Sequence, residues 1–139
     1  MASLIYNSLV EDIATGAVDL NSDTFKAMLV TDSYTADKDA HTKRSDVTNE
    51  AVGTGYTTGG ATVTATVTKY TATDRVDVVF SNPSWAASTI TARGLVIYKS
   101  RGGASSADEL VAYVDFGVNV ASTSGTFAVT LSSPLRFQN

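Results

Sequence analysis

Two apolar runs, ITARGLVIY at 90–98 and LVAYVDFG at 110–117, bracket one polar, glycine-bearing loop, KSRGGASSADE at 99–109. Strand-forming runs joined through glycine are the mark of a β-hairpin. Val, Ile, Tyr and Phe suit a pleated, packed surface, and neither run alternates cleanly between apolar and polar residues. Both strands are therefore expected to be covered on both faces. Residues 92–99 and 109–116 are read as the central pair of a sheet, and the rest of the chain has to fit around them.

The segments on either side supply the partners. Ile5, Leu9 and Ile13 recur at four-residue spacing with Leu4 and Val10 flanking them, which predicts an amphipathic helix over 4–14 stopped at Thr15 and Gly16. The N-terminal segment 1–16 either packs on its own sheet or serves as an arm that docks on a partner subunit. DTFKAMLVT at 23–31 is a strand near the sheet centre. Residues 32–60 form a long polar connection, within which 47–52 is read as a short helical turn; loops of this length in compact domains are usually functional. Residues 61–69 alternate Thr62, Thr64, Thr66 and Thr68 against Val63, Ala65 and Val67, a strand with one wet side. A turn at Thr73 and Asp74 leads into a strand carrying Val76, Val78 and Phe80, ended by Pro83. A turn at 122–125 then introduces a last strand, with Phe127, Val129 and Leu131 on one face, closed by Pro134. The result is a mainly β chain, an antiparallel β-sandwich or rolled sheet of about six to seven strands with one N-terminal helix.

A chain of 139 residues is one domain. Its 20 threonines, with only two prolines, favour ordered β-structure. A net charge of −4, with ten basic residues scattered along the chain, argues against a nucleic-acid partner. The N-terminus lacks the basic and apolar regions of a secretion signal, and no apolar run approaches a membrane span, so a soluble protein with no membrane partner is expected. The absence of cysteine excludes disulfides, thiolate metal sites and a thiol nucleophile.

Searching for chemistry yields little. The single histidine, His41, lies in the polar loop with no nucleophile elbow to serve, and is read as a solvated loop residue. Asp37, Asp39 and His41 suggest a calcium loop, but Thr42 and Thr48 stand where the EF-hand needs Gly and Glu; an irregular site using Asp32, Asp37 and Asp39 is the remaining form. The glycines of 53–60 lack the Lys-Ser/Thr of a phosphate loop and are read as a tight turn. Asp115, Phe116 and Gly117 match the kinase magnesium motif by chance, and the Thr62 to Thr68 row is an exposed β-face. Arg93, Lys99 and Arg101 place three positive charges near the hairpin, on a solvated rim or facing an acidic partner. No catalytic, metal or cofactor residue is assigned. The best candidates for interface anchors are Tyr34, Tyr56 and Trp85, with Arg101 beside them; core packing is the alternative for Trp85 and for Tyr98.

MASLIYNS (1–8), DTFKAMLVT (23–31), YTADKD (34–39), KRSDVTNE (43–50), GTGY (53–56) and the two hairpin strands resemble, over nearly the whole chain, small structural proteins of tailed bacteriophages and prophages. The resemblance implies a non-enzymatic virion component made in the host bacterial cytoplasm. A capsid decoration (cement) protein, bound as a trimer to the major capsid protein, is the leading expectation; a tail or neck component, such as a tube, adaptor or receptor-binding domain, is the alternative. A small enzyme or ligand-binding module is the third class, and no site motif speaks for it.

Overall fold

The long hairpin forms the spine of the molecule. The computed structural model describes residues 3–139; Met1 and Ala2, part of the expected N-terminal arm 1–16, lie outside the described residues. The elements in chain order are β1 (Leu4–Ile5), α1 (Asn7–Thr15), β2 (Phe25–Val30), β3 (Ala61–Val63), β4 (Ala65–Tyr70), β5 (Arg75–Phe80), β6 (Ser84–Lys99), β7 (Leu110–Ala128) and β8 (Leu135–Gln138). They make two antiparallel sheets, one of five strands in the order β1-β7-β6-β2-β3 and one of three in the order β4-β5-β8. The chain is thus mainly β, as the apolar patterning predicts.

The hairpin is longer than the sequence suggests. β6 runs for 16 residues and β7 for 19, so Trp85 lies inside β6 and the expected turn at 122–125 is no chain reversal. The ladder is instead bulged there, with Ala87 and Ser124 in the left-handed region. Ser88, fully buried, holds the irregularity: its hydroxyl bonds to the carbonyls of Trp85 (2.9 Å) and Gly125 (3.0 Å) and to the Ser122 hydroxyl (2.8 Å). A bulge leaves ladder groups unpaired, and a small hydroxyl can take them up. Between the pairs Gly94↔Asp115 and Ala92↔Val120, β6 advances two residues and β7 five, which throws residues 116–119 out as a larger bulge.

Both faces of the five-stranded sheet are covered, as the lack of alternation implies. On one face Phe25, Leu29, Leu95 and Ile97 meet Val78 and Phe80 of the smaller sheet, and the rings of Phe25 and Phe80 touch edge to face at 5.6 Å. Leu9 and Ile13 of α1 join this cluster, so the amphipathic stripe packs on its own fold. The helix begins later than predicted, since Leu4 and Ile5 pair with Tyr113 and Ala112 as an edge strand. On the other face Met28, Val96, Tyr98 and Leu110 lie under Tyr6, Tyr34 and Tyr113. Three further corrections concern connections. The run 61–69 divides at Thr64, with β3 in the larger sheet and β4 in the smaller, so one strand feeds both layers. Residues 47–52 are not helical: Glu50 bridges Val30, and the Ala51 N–H donates to the Leu29 carbonyl, extending the sheet edge beyond β3. Pro134 does not close the fold but precedes β8, which pairs with β5.

Candidate interaction surface

The expected anchors are used inside the chain. Tyr34 and Trp85 are 3 % and 6 % exposed, which corrects their reading as interface residues. Trp85 sits between Tyr56 and Phe127, at 5.7 and 6.1 Å between ring centroids. The Tyr56 hydroxyl donates to Glu50 Oε2 at 2.9 Å and accepts the Leu29 N–H at 3.0 Å, pinning the loop to β2; burial, and then the Glu50 charge, raises its pKa. The same Glu50 oxygen takes the Gly59 N–H at 2.7 Å, while the Tyr98 hydroxyl, its pKa pushed up to about 12 by burial, donates to the Gly59 carbonyl at 2.6 Å. Gly60 completes this turn at φ 82°, where an added Cβ would lie 1.8 Å from the Ala27 carbonyl oxygen. The glycines of 53–60 are therefore a tightly docked turn. Aromatic size alone cannot separate an interface ring from a core ring, and what does so for Tyr56, its bond to the Leu29 N–H 27 positions away, exists only in the tertiary structure.

The positive rim is neutralised in the same way. Arg93 meets Asp115 at 3.0 Å, Lys99 meets Asp23 at 2.9 Å, and Arg101 meets Glu109 at 2.6 Å. Glu109 and Asp108 are almost fully buried; Lys43 approaches the first at 3.7 Å and Arg44 the second at 2.8 Å. Of the four proposed contact residues only Arg101 lies at the surface, with its charge already engaged. The Glu109 hydrogen bond raises the Arg101 pKa.

The acidic loop residues are internally satisfied. Asp37 Oδ1 accepts the N–H groups of Asp39 and Ala40, which lowers its pKa; Asp39 receives the Asn7 amide; Asp32 receives that of Asn119 at 3.2 Å. No group of three or more metal-ligating side chains is gathered among the described residues. His41, read as solvated, is partly buried, its ring stacked on Tyr34 at 5.7 Å. No helix among the described residues is long and apolar enough to cross a membrane.

Exposed large apolar side chains stand at several places, among them Val10 on α1 and Val67, Val79 and Phe137 on the smaller sheet, and two belong to the end of the larger sheet beyond Val30. Val52, in the 32–60 connection, is 84 % exposed and Val118, in the bulge of β7, is 63 % exposed. The first loop is tied to β2 by the Val30–Glu50 bridge and by the Thr31 N–H to the Asn49 carbonyl (2.9 Å), and to β6 by the Thr54–Thr89 bridge. The second is tied to the residue after Thr31 by Asn119 and Asp32. Three consecutive residues, Val30 to Asp32, thus gather both loops, and their valines are held out by backbone anchored on a rigid sheet. Exposed apolar side chains on well-anchored loops are the chemistry of a protein contact.

No family model matches the chain, and neither the curated proteins nor the solved structures contain a match.

Proposed function

We propose that this chain is a non-enzymatic structural component of a tailed-phage virion, a capsid decoration protein that binds the major capsid protein as a trimer and stabilises the lattice. The observation that supports this reading is the end of the larger sheet where Val52 and Val118 are presented from loops fixed to Val30–Asp32. A cement protein gains by being rigid before it binds, because ordering entropy then does not oppose association. The internally saturated loop 32–60 has that character, and the resemblance to small phage structural proteins supplies the setting.

The test is the copy number of this chain in purified virions relative to the major capsid protein, combined with decoration assays on capsids lacking it. A ratio near one to one, with binding lost in V52D and V118D variants of unchanged melting temperature, supports the capsid role. A few copies per particle would move the assignment to the tail or neck, and absence from virions would overturn it.

A further inference from the structure

Independently of any virion role, one side-chain chain in the fold is built around a single unprotonated nitrogen. Tyr6, fully buried, lies with its hydroxyl 2.8 Å from that of Tyr34, which in turn lies 3.0 Å from His41 Nδ1. The Asp37 backbone N–H also points at Nδ1, at 3.2 Å. A backbone N–H can only donate, so Nδ1 must present its lone pair and the imidazole hydrogen must sit on Nε2. The direction of the whole chain follows: Tyr34 donates to His41, and Tyr6 donates to Tyr34. Every hydrogen in this relay has an acceptor only while Nδ1 is bare.

Adding one proton changes the count. Nδ1 becomes a donor facing the Asp37 N–H, one acceptor disappears, and one phenolic hydrogen, on Tyr6 or on Tyr34, is left buried without a partner. Unsatisfied donors in a buried site are strongly disfavoured. The other groups facing this site are Tyr113, packed edge-on against Tyr34 at 5.8 Å, and the carboxylates of Asp37 and Asp46. Those two carboxylates already face the ring in its closed position and attract an imidazolium there, so the drive to open comes from the phenolic hydrogen left unpaired between Tyr6 and Tyr34. Among the described residues, Asn7 ties the segment that would move to the start of α1, its N–H donating to the Lys38 carbonyl (3.0 Å) and its amide to Asp39, while Ala36 packs on the aromatic layer.

We infer that His41 is a proton-sensitive latch that fastens residues 36–41 over the Tyr6–Tyr34 layer and releases them on mild acidification. The neutral ring closes the latch and the imidazolium opens it.

Amide hydrogen exchange of the full chain, corrected for intrinsic rates, tests this. Between about pH 7.5 and pH 5 the protection of residues 36–41 should fall on the order of ten-fold more than that of β6. His41→Asn keeps an acceptor near the Nδ1 position without a proton to gain, and should hold the segment protected at both pH values. Equal loss in wild type and H41N would overturn the inference. Imidazole nitrogen shifts of the wild type provide a test that needs no variant: a hydrogen on Nδ1 at about pH 7.5 would also overturn it.

Discussion

Arg44 and Asp108, 64 positions apart, are joined by an Nε to Oδ2 contact of 2.8 Å, and the Arg44 N–H donates to the Asp108 carbonyl at the same distance. This double tie fastens the long polar connection to the tip of the β6–β7 hairpin. Asp108 is 1 % exposed and also accepts the Arg101 N–H, so its carboxylate depends on protein partners for solvation. Arg44→Ala should therefore lower unfolding free energy by about 3 kcal/mol, near the low end for breaking a buried pair because Arg44 keeps some solvent contact. Urea denaturation checks this, and a loss under about 1 kcal/mol would show the pair to behave as a surface bridge.

The Tyr113 side chain covers Gly94, where an added Cβ would come within 2.6 to 2.8 Å of two ring carbons and the phenolic oxygen. Alanine normally suits a strand better than glycine. Here Gly94→Ala should instead destabilise by about 1–3 kcal/mol, because the ring must leave its place under Tyr34. Combining it with Tyr113→Ala should recover most of the loss attributable to the clash, in a double-mutant cycle read by thermal melting.

Trp85→Ala removes a buried ring that touches both Tyr56 and Phe127. The expected cost is about 3–5 kcal/mol. Val52→Ser, by contrast, should change stability by less than about 0.5 kcal/mol, since its side chain is in water. Finding the two effects comparable would contradict the burial described for the Trp85 site.

Acid and alkali should act on different layers. The Arg136 guanidinium holds the Asp77 carboxyl below its usual range, and the N–H groups of Thr42 and Lys43 do the same for Asp46. A carboxyl depressed in the folded state stabilises fully above its unfolded value of about 3.9 and loses that contribution as the pH falls through the lower, folded value. Stability should therefore decline below about pH 4, less steeply in Arg136→Ala. Tyr98 shifts the opposite way, so its contribution is present below the unfolded phenol value of about 10 and is lost as pH rises through about 12. Spectrophotometric titration should show a late phenolate that is absent in Tyr98→Phe; its persistence in that variant would assign it elsewhere.

The amino-acid sequence determined the class of this fold and most of its strands. The apolar-rich runs around residues 90–98 and 110–117 lack a clean alternation, which pointed to strands covered on both faces, and so marked a central hairpin. The spacing of Leu9 and Ile13 marked a helix, and the tertiary structure decided that it packs on its own fold. Local pattern also stated the alternation of Thr62 to Thr68 but not the crossing between sheets at Thr64, because a strand looks the same on either side of such a step. Only the tertiary structure decided the fate of Tyr34, Trp85, His41 and the buried acids. Whether a ring or a charge faces water depends on partners tens of residues away, as Leu29 is for Tyr56 through the docked turn and Arg44 is for Asp108 across the hairpin tip. Long-range pairing, and not residue type, turned an apparently open polar loop into an internally bonded layer on which Val52 still faces outward.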